Sequence, residues 1–175
     1  EAISVNSGFT VRNSPAVFRI KPEGILDSSF AVNGRFLNRF GYNNYQIRSL
    51  IVQSDGKILV GGNTLSTSPV NASWLMFRLN PGGQVDSSFA VNGIYTRTIP
   101  GSRISAISAI RTAENDRIMV AAFHDNSSQG FMDVFKLKLN GTFDSTFAQS
   151  GIIFQRPFLQ SHFFEHLKMD MDTAM

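Results

Sequence analysis

His162-Phe163-Phe164-Glu165-His166 spells H-x-x-E-H near the end of the chain, the inverted form of a zinc-peptidase motif. On a helix its two imidazoles would lie four residues apart on one face, as a zinc site requires. The stretch is only five residues long, however. The one other histidine, His124, falls in a polar loop of a different segment, so no third ligand is legible. An amphipathic or unstructured tail is the plainer reading. Asp27, Asp86 and Asp144 invite a calcium reading, but calcium needs several oxygens converging on one point. Each of these aspartates has only hydroxyl neighbours, which suits backbone capping better. Glu23 and Glu114 fall in turns, and nothing in the sequence sets them across a cleft as a glycosidase pair.

Other candidates are weaker still. Gly61-Gly62 precedes a polar loop and no helix, so it is not a phosphate cradle. Trp74 leads an alternating strand and reads as a packing residue rather than a sugar platform. Asn71-Ala72-Ser73, Asn126-Ser127-Ser128 and Asn140-Gly141-Thr142 are glycosylation sequons, a motif that an Asn/Ser/Thr-rich chain produces by composition. No catalytic, metal or cofactor-binding residue is therefore expected, and no cofactor.

The aspartates belong to a larger pattern. DSSFAVNG occurs at residues 27–34 and again at 86–93, and DSTFAQSG follows at 144–151. The flanks repeat too: VFRIKPEGILDSSFAVNGRF (17–36), MFRLNPGGQVDSSFAVNGIY (76–95) and VFKLKLNGTFDSTFAQSGII (134–153) align at a period of roughly 59 residues, in the range of repeat architectures. Between them SLIVQSDGKILVGG (49–62) matches SAIRTAENDRIMVAA (108–122), with one extra residue at the turn.

Each unit divides into strands and turns. IRSLIV is β-prone, Ser54-Asp55-Gly56 is a hairpin turn, and KILVGG is a return strand whose continuous apolar run predicts burial on both faces. The polar segment 63–73 reads as a surface loop. WLMFRLN forms a third strand, stopped by Asn80-Pro81-Gly82-Gly83, and residues 94–97 form a fourth. Asp27, Asp86 and Asp144 should each cap a single helical turn through the amides two and three residues on. That turn points Phe30, Phe89 and Phe147 into the core, and Gly34, Gly93 and Gly151 release the chain into the next strand.

Four short strands per repeated unit predict an all-β repeat architecture of β-propeller blades, each of four antiparallel strands. The chain holds two full blades and part of a third, in units of roughly 1–40, 41–98 and 99–154. A tail, 155–175, carries Leu159, Phe163, Leu167 and Met171 at every fourth residue, the spacing of a short amphipathic helix. It either caps the open apolar face of the array or never packs. Closed rings take four to eight blades, so the chain reads as an excerpt of a larger propeller or as one that closes by self-association. Its start at Glu1, without Met or a signal peptide, fits a processed or excerpted segment.

The pattern FRLNPGG with VDSSF, preceded by VQSDGKILVGG, resembles the delta-60 repeat family of β-propeller domains. The resemblance covers residues 17–154. The third copy departs from it: Asn115-Asp116-Arg117 replaces Asp55-Gly56-Lys57, Ala121-Ala122 replaces Gly61-Gly62, and Leu139 replaces Pro81. The resemblance implies a propeller of large surface or secreted bacterial proteins, with no assigned activity or catalytic residue.

Composition bounds the partners. The net charge of +3 comes from 16 basic against 13 acidic residues. Arg35, Arg39, Arg48, Lys57, Arg97, Arg103, Arg111, Lys136 and Lys138 form no run, so no nucleic-acid partner is expected. The chain has no cysteine, which excludes disulfide staples and Cys-ligated zinc. It also lacks any stretch of the ~20 apolar residues needed to span a membrane as a helix. The expectation is a non-catalytic propeller scaffold, an extracellular or cell-surface module that binds a protein or carbohydrate ligand through loops 63–73 and 124–130. The alternative is a propeller-type hydrolase or lyase with its site at the central channel, where Arg48 and Arg111 would be the only charges on the innermost strands.

Overall fold

A computed structural model describes residues 2–6, 14–38, 40–41, 45–67, 70–102, 104–112, 117–125, 129–148 and 152–158. The regular elements among them are strands: β1 (Ala2–Asn6), β2 (Ala16–Ile20), β3 (Arg35–Leu37), β4 (Tyr45–Val52), β5 (Ile58–Thr67), β6 (Val70–Leu79), β7 (Ile94–Ile99), β8 (Ser105–Thr112), β9 (Ile118–Asp125), β10 (Gly130–Leu137) and β11 (Ile152–Phe158). They build three antiparallel sheets, β1-β2-β3, β4-β5-β6-β7 and β8-β9-β10-β11. Neighbours in sequence are neighbours in space throughout, so each sheet is a meander. The chain is all-β, two complete propeller blades and one partial blade.

The middle blade shows why its sequence is apolar in runs. Side chains alternate across a strand. Ile58 and Val60 of β5 therefore pack with Val17, Phe30 and Phe36 of the first blade, while Leu59 packs with Ile107, Ile110 and Val120 of the third. Residues 58–64 of β5 thus have no wet face, as the run KILV predicted. Its first hairpin is closed by Gln53 N–H donating to Lys57 O at 2.7 Å, with Gly56 at φ +79°.

Strand β8 packs against β4, β5 and β6 of the preceding blade. The first strands of both blades carry a bulge at the same place, between Ile47 and Ser49 and between Ile107 and Ala109. The amide of Ile110 donates to Ser49 Oγ at 3.0 Å, tying the two sheets together. They also meet at Gly61, where a Cβ would stand 2.6 Å from Ile110 Cδ1.

Three expectations are corrected. Within segment 63–73, residues 63–67 and 70–73 are strand and not loop. Pairing of β5 with β6 continues through Asn63↔Trp74, Thr64↔Ser73, Leu65↔Ala72 and Ser66↔Asn71 to Thr67↔Val70, because backbone pairing outweighs the polar composition. Trp74 accordingly lies mid-strand, and every residue from Ala72 to Leu79 is buried, without alternation. The third blade also runs past residue 154. β11 pairs with β10 out to Gly130↔Phe158, so residues 155–158 belong to the sheet, with Pro157 tolerated on an edge strand. The helix expected from Leu159 to Met171 lies outside the described residues.

Candidate functional site

The repeated corner turns out to be a joint between blades. Asp27 Oδ1 accepts from the Ser29 amide at 3.0 Å and from Ser29 Oγ at 2.7 Å. Asp86 does the same with Ser88, and Asp144 with Thr146. The amide three residues on bonds instead to the aspartate's main-chain oxygen, as in Phe30 to Asp27 and Phe89 to Asp86. The corner is thus a side-chain-bridged turn, not the capped helical turn the sequence suggested. A helix is ruled out by the next residue, since Ala31, Ala90 and Ala148 take φ of 47°, 46° and 54°.

An arginine completes the joint. Arg19 Nε donates to Asp27 Oδ2 at 2.7 Å and its Nη2 to Ser29 Oγ at 3.0 Å. Its guanidinium lies 5.0 Å from the centre of the Phe30 ring. The remaining nitrogen, Nη1, donates to the main-chain oxygen of Pro81 in the second blade at 2.8 Å. Arg78 repeats the set one blade later, on Asp86, Ser88, Phe89 and the oxygen of Leu139. Beside these, the amides of Ala31 and Ala90 donate to Gly82 O and Asn140 O, both at 2.7 Å.

Carboxylate electrostatics follow. The hydroxyl and amide of Ser29, then Arg19, hold Asp27 below its ordinary 3.8. Burial alone would raise Asp86, but the Ser88 bonds and Arg78 outweigh it and lower the group. Thr146 leads the lowering of Asp144, with Lys136 and Arg117 adding to it.

The third corner is a variant. Lys136 stands where Arg19 and Arg78 stand, its Nζ 5.4 Å from the centre of the Phe147 ring. The changes in the third copy are also coupled. A Cβ on Gly56 would lie 3.2 Å from Pro81, so the Gly56 turn and Pro81 touch, and in the third copy both positions have changed.

A second cluster lies between blades two and three, and sequence reasoning missed it. His124 Nδ1 sits 2.8 Å from Asp133 Oδ2, a largely buried pair. The imidazole stacks on Phe131 at 4.9 Å and meets Trp74 at 6.1 Å. Trp74 Nε1–H donates to Phe123 O at 3.0 Å, and Arg97 lies over its indole at 5.4 Å. Ser105 is the ladder partner of His124. Burial pushes up the hydroxyl of nearby Tyr95. Asn63 Oδ1 and Ser105 Oγ are buried without a hydrogen-bond partner. Ser105, His124 and Asp133 are the residue types of an acyl-transfer triad on three adjacent strands, but Ser105 is 1% exposed and makes no bond to His124.

His124 lies on β9, not in a loop. His162, Glu165 and His166 are outside the described residues, as are Glu114, Asn126 and Gly151. Among the described residues no group of three or more His, Asp or Glu side chains could hold a metal, and Asp27, Asp86 and Asp144 sit in separate blades. Glu23 is exposed in its turn. Asn140 Oδ1 accepts from the Thr142 amide and hydroxyl, a turn role. Gly61 and Gly62 are packing residues within β5. Trp74, 1% exposed and stacked 5.4 Å from Phe135, is a core residue. Arg48 and Arg111 are exposed on the first strands of their blades, with Arg48 against Phe123 at 5.6 Å. The two segments expected to recognise a ligand are the corresponding hairpin ends of blades two and three, although most of 63–73 is paired strand. Among the described residues no helix is long and apolar enough to cross a membrane.

Compared with known protein families, residues 53–89 fit the one described as "Domain of unknown function (DUF5122) beta-propeller". No curated protein and no solved structure matches significantly. The matched stretch runs from the first hairpin turn of the middle blade to Phe89, and so contains β5, β6 and the corner. The match covers 37 of the 175 residues, and together with the three meander sheets it supports a β-propeller fold.

Proposed function

We propose that the chain is a non-catalytic β-propeller scaffold of the delta-60 repeat type, a binding or display module of a larger surface or exported protein. One observation carries this reading. The chemistry-bearing groups that recur in every unit are spent on joining blades: the corner aspartates on their own turns, and Arg19 and Arg78 on those aspartates and the next blade's carbonyls. What differs between blades is the end of the second hairpin, at 63–73 and 124–130, and those ends carry recognition of a protein or carbohydrate. The test is a thermal-shift screen of the chain against soluble β-glucan, chitooligosaccharide and mannan. It is repeated with 65–72 and 126–129 each replaced by Asn-Gly. A shift that disappears in the trimmed, still-folded variant supports the reading; a shift that survives trimming overturns the assignment to these hairpin ends.

A propeller-type hydrolase is the second reading, favoured by Ser105 beside the His124–Asp133 pair. It relocates the site from the channel to the seam between blades two and three. Labelling by a fluorophosphonate probe that is abolished in Ser105→Ala would establish it. Absence of labelling in the folded wild-type chain returns the cluster to a packing role.

A further inference from the structure

The joint between blades has two halves, and among the described residues the first and last sheets each display one half without its mate. The donor half is a corner: a Phe, followed by an Ala whose amide points outward. The acceptor half is the turn that leads out of β2, β6 or β10, closed by a glycine with positive φ. Phe30 and Ala31 sit against Gly83, where a Cβ would come 2.7–2.8 Å from them. Phe89 and Ala90 sit against Gly141 in the same way, at 2.6–2.9 Å. Gly83 and Gly141 are buried by this contact, and Phe30 and Phe89 are fully buried.

Gly24 is the same position in the first blade, at φ +81° beside +87° for Gly83 and +78° for Gly141, yet a Cβ there meets nothing within 4 Å. Residues 21–26 are all exposed, Ile25 by 58%. At the other end, Phe147 is only half-buried and Ala148 keeps the left-handed φ of 54° that aims its amide in the internal joints. Among the described residues no turn receives this corner.

We infer that the Phe147–Ala148 corner of one chain docks on the Lys21–Gly24 turn of a second copy, head to tail. Phe147 lies against Gly24, the Ala148 amide donates to Glu23 O, and Lys136 points toward Pro22 O. These are the counterparts of the contacts made twice within the chain. Such a contact is heterologous, so it closes only as a ring. Two copies, each with three sheets among its described residues, bring six, inside the four to eight blades of closed propellers, whereas three copies would exceed that range. The inference rests on the blade architecture and not on the ligand-binding role.

Light scattering of the 175-residue chain over a concentration series tests it, with a melting curve for each variant. The expected result is a reversible monomer–dimer equilibrium. Gly24→Asn fills the seat with a residue that tolerates positive φ, and should abolish the dimer while leaving the monomer's melting cooperative. Lys136→Arg restores the fork that reaches the neighbouring carbonyl, and should tighten the dimer about ten-fold. A folded monomer at all concentrations overturns the proposal, whether the seat is empty or covered by the chain's own tail. A dimer indifferent to both substitutions overturns it as well. Absence of any ligand shift in the untrimmed chain, with the dimer intact, would count against the scaffold reading alone.

Discussion

Arg78 Nη1 donates to the main-chain oxygen of Leu139 at 2.6 Å, 61 residues away and one blade on. Its Nε holds Asp86 of its own blade at 2.8 Å. One guanidinium therefore fixes a corner and fastens it to the next sheet, which needs a planar fork of donors rather than a point charge.

Arg78→Lys should accordingly destabilise the chain by about 2 kcal/mol, since one charged contact survives and the fork does not. Arg19→Lys should cost less, because Arg19 is more exposed and water takes over part of its bonding. Urea denaturation of both variants checks the order. Equal, negligible effects would mean the fork is ornamental to stability.

Glycine substitutions should separate by position. Gly141→Ala sets a Cβ 2.6 Å from the Phe89 ring as well as straining a positive φ, and should cost about 3 kcal/mol. In the monomer Gly24→Ala carries the backbone strain alone, about 1 kcal/mol. The difference between their melting temperatures is the measurement.

Acid should loosen the joints. Asp27, Asp86 and Asp144 all have folded values below the ordinary 3.8. Their contribution is therefore complete above that ordinary value and is lost as pH falls through the lower folded ones. Melting temperature should be flat with respect to these groups above about pH 4 and fall steeply below it. Asp86→Asn should shallow that acid limb. An unchanged limb would place the acid sensitivity elsewhere.

The His124–Asp133 pair should behave as structure. Asp133→Ala strands a buried imidazole and should cost about 2 kcal/mol, read from urea midpoints. A variant of native stability would show that the pair is held for something other than packing.

Hairpins, the four-strand blade and the inward Phe30 and Phe89 were legible because turn chemistry and a two-residue period are local signals, whereas Phe147, expected inward as well, is only half-buried. The joint itself was not, since a corner finds its seat more than fifty residues on. Yet a signal was present: Arg19 and Arg78 each precede the repeated aspartate by eight residues, in the same column of the repeat. The length of the second hairpin was hidden by Ser, Thr and Asn, which read as loop wherever pairing is set by the partner strand. His124 and Asp133 lie on adjoining strands, and only the register Ala122↔Asp133 and His124↔Phe131 reveals that they meet.

Native-state hydrogen exchange at the amides of Ala31 and Ala90 tests the blade joint most directly. Both lie in turns, where exchange is ordinarily fast, but both donate across blades at 2.7 Å. Protection matching that of the β5 and β6 amides is the predicted result. Exchange at the rate of an open loop would contradict the claim that the repeated corner is what holds one blade to the next.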